Sequence, residues 1–194
     1  MHDLPVPELS LADQRTIARI LKVNHAGEFG AIRIYRAQLW IAKRWHSDLV
    51  PFLNETLAHE IQHCQYFRDA MPGPKTRPCY AMTLWGIGGS LLGLITALMG
   101  RNAIMACTKA VEQTVHRHLD EQIDFLLGKD ELLKALITSI QIEENAHLNF
   151  AKAHLKPSAV YTILETAIVV STEIVIWLST QGAVSRMEQA IKQK

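Results

Sequence analysis

Cysteine is scarce in this chain: Cys64, Cys79 and Cys107 are the only three in 194 residues, and no two are spaced C-x-x-C. That argues against a disulfide framework and against a paired-thiolate metal site, and the three read as reduced thiols in a cytosolic setting. There is no Gly-rich strand-to-helix fingerprint, so no nicotinamide or flavin domain is expected within the chain. Excess charge of either sign is missing too. A net charge of +1 gives no reason to expect a nucleic-acid partner. Strand-like alternation bounded by turn pairs is largely absent, which removes most β architectures. Residues 1–10 lack an apolar core and carry no arginine before Arg15, so neither a secretory signal nor an uncleaved mitochondrial presequence is expected.

What is present is helical periodicity. With 48% hydrophobic and 20% charged residues, the composition suits one packed domain rather than disorder. We expect an N-terminal extension over 1–11, a single domain over 12–180 and a polar, fraying tail over 181–194. Apolar spacing and breakers predict helices over about 12–45, from Ser47 or Asp48 to before Pro72, 102–127, 130–155 and 158–180. Residues 78–100 carry no charge, a length that could just span a bilayer. Within them Gly86, Gly93 and Gly100 recur every seven residues, and Gly89 and Gly93 are spaced to admit another backbone. Gly27 and Gly30 are costly inside the first helix and imply a packing or site reason.

Two short motifs carry the chemistry. Glu60-Ile61-Gln62-His63 and Glu144-Asn145-Ala146-His147 are both E-x-x-H, which puts a carboxylate and an imidazole on one helix face. One such motif is common by chance. The spacing supplies the weight: Glu28 precedes Glu60 by 32 residues, and Glu112 precedes Glu144 by 32. Adding 84 maps Glu28, Glu60 and His63 onto Glu112, Glu144 and His147. The chain therefore reads as two copies of a helical hairpin, packed face to face into an all-α, ferritin-like four-helix bundle with two further apolar helices. Four carboxylates and two imidazoles then meet at the centre, the donor set of di-iron and di-manganese carboxylate bundles. Four carboxylates neutralise two divalent ions, and mixed nitrogen and oxygen ligation suits iron.

Weaker candidates surround that set. His25 could hydrogen-bond near it; Glu143 lies about 100° around the helix from Glu144; Asp120, Glu121 or Asp124 could orient a ligand imidazole. His59, His116 and His118 read as surface residues, and Tyr35 as core or as a redox or substrate group.

The segment Asn24-His25-Ala26-Gly27-Glu28-Phe29-Gly30-Ala31 resembles the H-A-G-E-[YF]-G-A motif of the demethoxyubiquinone hydroxylase family of ubiquinone biosynthesis. Ala106-Cys107-Thr108-Lys109-Ala110-Val111-Glu112 is similar to that family's A-C-T-x-A-V-E, and the likeness runs from about Gln14 to Ser179. The resemblance implies that Glu28, Glu60, His63, Glu112, Glu144 and His147 ligate two iron ions, with Glu60 and Glu144 bridging. It also implies oxygen-dependent hydroxylation of the ring of a polyprenylated methoxy-methyl-benzoquinol, with electrons from an external donor of unspecified identity. Two departures stand out, Gln113 after Glu112 where E-E is usual and Leu119 after His118 where H-Y is usual; neither removes a proposed ligand. The rival readings are a ferritin-like iron-binding or ferroxidase protein and a di-iron oxygenase acting on another lipid. A lipid substrate calls for a membrane surface, for which 78–100 and 158–180 are the candidates, at the cytoplasmic face of a bacterial cell membrane or the matrix face of the mitochondrial inner membrane. Glu165 and Glu173 argue against simple insertion of the last helix and are expected to face another protomer if one is present. Homo-oligomers or other ubiquinone-biosynthesis proteins are the possible protein partners.

Overall fold

The computed structural model describes residues 9–73 and 77–192. Most of the N-terminal extension and Pro74 of the Pro-Gly-Pro turn lie outside the described residues. Ser10 starts α1 (Leu11–Trp45), its hydroxyl accepting the Asp13 N–H, while Lys43 and Arg44 complement the helix dipole in the last turn. A 3-10 turn, Ser47–Leu49, leads into α2 (Val50–Asp69) with Pro51 in its first turn. Ser47 and Asp48 thus precede the helix without capping it, and Asp48 instead pairs with Arg101 at 2.7 Å. Then come α3 (Met82–Met99), α4 (Arg101–Leu126), α5 (Glu131–His154) and α6 (Ala159–Thr180). Gly100, with φ of +104°, forms the joint between α3 and α4, and Asp130 caps α5 by accepting the Leu133 N–H.

Helices α1, α2, α4 and α5 form the expected bundle, with α1 against α2 and α4 against α5. Helix α3 packs on α1 and α6 packs on α4. Shifting α3 by 84 residues gives 166–183, which overlaps α6. The duplicated unit is therefore three helices, one more than the hairpin read from the sequence.

The glycines of α3 explain its grip on α1. A Cβ at Gly89 would lie 2.4 Å from the Gly30 carbonyl oxygen, and one at Gly93 would lie 2.3 Å from that of Ile34. A Cβ at Gly30 would in turn meet the Trp85 ring at 2.9 Å. The two backbones touch, as the spacing of Gly89 and Gly93 predicts.

The two largest of four apolar clusters among the described residues fill the bundle. One holds Ile20, Phe67, Leu119, Phe125, Leu126, Ile137 and Ile140; the other holds Tyr35, Leu39, Phe52, Leu53, Ile104 and Met105. The tail departs from expectation. Residues Ala183–Lys192 form α7, which buries Ala183, Val184 and Met187, the latter two in the first core. A periodic apolar stripe, not net polarity, decides that segment.

Little of α3 or α6 is buried otherwise. Leu84, Ile87, Leu91, Ile95 and Leu98 are exposed along one side of α3; Val160, Ile163, Val170, Ile174 and Trp177 do the same on α6. Both helices are long and apolar enough to cross a membrane by composition, with 28% and 17% of their apolar windows buried. Glu165 and Glu173 have charged partners within the chain. They turn inward to α4, Glu165 meeting Lys109 at 2.6 Å and Glu173 meeting Arg117 and His118. Their charges are thus neutralised within the chain, and the exposed side of α6 is left apolar.

Candidate metal centre

Each bundle helix contributes its acidic group one or two turns from core residues of both clusters, so the six side chains lie between the two apolar cores. Glu28, Glu60, His63, Glu112, Glu144 and His147 are all buried. Ligating atoms of Glu28, Glu60, His63 and Glu144 lie within 4.8 Å of one another, as do those of Glu60, Glu112, Glu144 and His147. The two groups share Glu60 and Glu144. His63 Nδ1 is 3.0 Å from Glu144 Oε1, and His147 Nδ1 is 3.3 Å from Glu144 Oε2.

The electrostatics state what such a cluster needs. Burial, then the Glu144 charge, pushes the Glu28 carboxyl up to about 7. Burial and neighbouring carboxylates raise Glu60 and Glu112 well above the ordinary range. Burial also opposes the charge on Glu144, but hydrogen bonds from His147 and His63 outweigh it and hold that carboxyl low. Burial pulls the His63 imidazole down, yet the Glu144 hydrogen bond and the Glu28 charge dominate and raise it to about 9. Protons here do the work of cations. One oxygen of Glu60 is buried with no hydrogen-bond partner. Four inward carboxylates, one with an orphaned oxygen, and two imidazoles fit two divalent ions, and mixed oxygen and nitrogen donors fit iron.

Around this set the structure revises several expectations. His59 is not a plain surface residue: its Nδ1 sits 3.0 Å from His147 Nε2, and the rings stack. Glu143, turned away from the cluster on its own helix, reaches across to α2 and accepts from His63 Nε2 at 3.0 Å. Neither Asp120 nor Glu121 orients a ligand imidazole; Asp120 accepts from Gln141 and Glu121 meets His118. His118 is buried between Glu121 and Glu173 rather than exposed. The His25 Nδ1 is buried without a partner, so that atom makes no bond to the cluster. Tyr35 is fully buried and its hydroxyl donates to Glu112.

A cavity that sequence patterns do not foretell lies above the cluster. It measures about 300 Å³ and lies among α1, α3, α4 and α6. Gly27, Trp85, Gly88, Leu92, Val111, Val115, Val175 and Ile176 line its walls, and Glu28, Glu60, Glu112 and Glu144 reach its floor. Asn24 and Gln122 also line it and bond reciprocally, at 2.7 and 3.0 Å, across α1 and α4. Gly27 is explained here: a Cβ there meets nothing within 4 Å, because it faces open cavity. The exposed Leu84 marks the side where the cavity meets the apolar surface.

Comparison with known proteins identifies the family. Residues 15–179 match the family described as Ubiquinone biosynthesis protein COQ7. The chain is 38% identical over 165 residues to the 3-demethoxyubiquinol 3-hydroxylase of Rhodospirillum rubrum, covering 84% of this chain and 77% of the relative. It is 35% identical over 170 residues to the human mitochondrial NADPH-dependent 3-demethoxyubiquinone 3-hydroxylase, covering 84% and 76%. The mitochondrial 5-demethoxyubiquinone hydroxylase of Saccharomyces cerevisiae is 31% identical over 192 residues, with 91% and 82% covered. With a bundle of duplicated acidic hairpins and a match spanning most of its length, the chain belongs to the COQ7 family of ubiquinone biosynthesis proteins.

Proposed function

We propose that this protein is an oxygen-dependent di-iron hydroxylase acting on the ring of a polyprenylated demethoxyubiquinol, in which Glu28, Glu60, His63, Glu112, Glu144 and His147 would hold the two irons, Glu60 and Glu144 being common to both positions. The observation that carries the reading is an apolar cavity whose floor is a buried carboxylate–imidazole cluster. A storage protein or ferroxidase has no use for such a pocket beside two exposed apolar helices.

When bound, two iron ions supply the oxygen activation that side chains alone cannot. The chain's own residues do the rest. Apolar walls from α3, α4 and α6 exclude water and accept an aromatic ring. The Asn24–Gln122 pair and His118 supply the polar part of the wall, fixed in place by partners of their own. Trp85, whose Nε1 donates to Ser179 at 2.9 Å, ties α3 to α6 near the cavity and closes one side of it. The prenyl tail leaves between α3 and α6 past Leu84. Electrons come from outside the chain; the human relative is named NADPH-dependent, and NADPH is our candidate donor here.

The exposed stripes of α3 and α6 dip into one leaflet of a bilayer, a peripheral mode of binding in which neither helix spans. The cytoplasmic face of a bacterial membrane fits a bacterial relative, and the matrix face of the mitochondrial inner membrane fits the mitochondrial ones.

The test is Glu60→Ala and Glu144→Ala. Each removes a carboxylate common to both ligand groups, so each is expected to keep its helical circular-dichroism spectrum, lose iron and form no hydroxylated quinol. Wild-type turnover by either variant defeats the proposal.

A further inference from the structure

The offset of 84 that pairs the ligands also pairs their neighbours, and there the two halves differ. His59 corresponds to Glu143, and Tyr35 corresponds to Leu119. Resting on the two-iron reading above, we infer that the metal positions are unequal: the position formed by Glu28, Glu60, His63 and Glu144 binds its ion first and more tightly than the one formed by Glu60, Glu112, Glu144 and His147. Glu60 and Glu144 belong to both groups and cancel from the comparison. What distinguishes the positions is Glu28 with His63 against Glu112 with His147.

The imidazoles differ in what stands behind them. His63 Nε2 lies 3.0 Å from Glu143 Oε2. A carboxylate only accepts, so Nε2 carries the hydrogen and the Nδ1 lone pair is left for the ion. An anion behind an imidazole also pushes electron density toward the opposite nitrogen and makes it a stronger donor. His147 Nε2 lies at the same 3.0 Å from His59 Nδ1. That partner is an imidazole, and Glu143 stands behind it at 4.0 Å from His59 Nδ1, so the carboxylate reaches His147 only through His59 whereas it meets His63 directly.

The lone glutamates differ in the same direction. Tyr35 donates to Glu112 Oε1 from a fully buried position, drawing charge from that carboxylate. Leu119, at the corresponding place in the other half, has no hydrogen to give Glu28. Glu28 keeps for the ion the charge that Glu112 shares with a phenol. Glu143 and Tyr35 are therefore positioning residues that act through His63 and Glu112. Outer partners of this kind change metal affinity by about 10–100-fold, and both differences favour one position.

Cobalt(II), which binds similar donors and absorbs in the visible, is the probe. The metal-stripped full chain in detergent is titrated anaerobically, and the two affinities are resolved. The wild type is expected to fill in two steps separated by about tenfold or more. Glu143→Gln keeps an acceptor near His63 but removes its charge; Glu143 is 44% exposed, so the change does not threaten the core. It should weaken the first step by about tenfold and leave the second within about twofold. Tyr35→Phe should tighten the second step and leave the first. Residues that merely support the fold would shift both steps together. Two equal wild-type sites, or a Glu143→Gln effect spread over both steps, overturn the inference while leaving the binuclear reading intact. Failure of the wild type to take up cobalt at all refutes the binuclear reading itself and the inference with it.

Discussion

Replacing Gly93 by alanine probes the backbone contact between α1 and α3. The new Cβ would sit 2.3 Å from the Ile34 carbonyl oxygen and 2.8 Å from its Cα. Non-bonded heavy atoms settle at roughly 3.5 Å or more, so α3 must retreat by about 1.2 Å at that turn. The obstacle is main chain in the middle of a 35-residue helix, which has no rotamer to change. Overpacking of this sort costs about 1–3 kcal/mol, and the upper part of that range applies to an immovable neighbour. Alanine recovers about 1 kcal/mol of helix propensity, which leaves a net loss of about 1–2 kcal/mol. For a chain of this length that is a fall in Tm of about 2–8 °C. Gly88→Ala is the internal control. It makes the same chemical change on the same helix, yet its Cβ meets nothing within 4 Å. There only the propensity gain operates, and Tm should rise. Unfolding of both variants in one detergent, followed by circular dichroism, gives the comparison. If Gly93→Ala proves as stable as Gly88→Ala, the two helices are not in backbone contact and the argument from the glycine spacing is wrong.

Further expectations concern the tail, the surface and the metals. Met187→Ala should cost about 2–5 kcal/mol, since it empties a fully buried site in the first core; a loss under half a kcal/mol in urea titration would mean that α7 merely lies on the surface. Lysine at Leu91, Ile95 and Leu98 together should abolish sedimentation with liposomes while metal content is retained, because all three side chains are exposed and none lines the cavity above the cluster. Unchanged sedimentation would remove that face from the binding surface. Adding ferrous iron anaerobically to metal-free protein should raise Tm, by roughly 2.7 kcal/mol of added stability at a hundred times Kd, and chelation should reverse it. A Tm indifferent to iron would deny that the acidic cluster binds it.

The bundle was legible because a duplication leaves an arithmetic trace. Equal spacings of 32 and a constant offset of 84 identify six residues that no local pattern singles out, and all six meet in the core. Local reasoning failed where the partner comes from another helix. Glu143 points away from Glu144 on its own helix, yet that direction faces α2 and His63. Applying the offset to His59 would have revealed both members of that outer pair. His118 reads as a surface residue from sequence, but Glu173 faces it across α4 and α6, leaving His118 buried while Glu173 stays partly exposed. Helix α7 was hidden by its average polarity, although Val184, Met187 and Ile191 recur at helical spacing. The cavity leaves no trace in the sequence beyond Gly27, because a void is defined by what several elements fail to fill.

On the membrane-bound mode proposed above, the position of that void beside α3 and α6 sets the terms on which a prenylated ring is supplied. A molecule that lives in oil need never be lifted through water to reach a doorway that itself opens into oil. Its search is two-dimensional, and the concentration that governs turnover is the number of quinols per unit of bilayer, not per litre. Diluting vesicles at a constant quinol-to-phospholipid ratio should therefore leave the rate per bound enzyme unchanged, whereas adding empty phospholipid to the same vesicles should slow it.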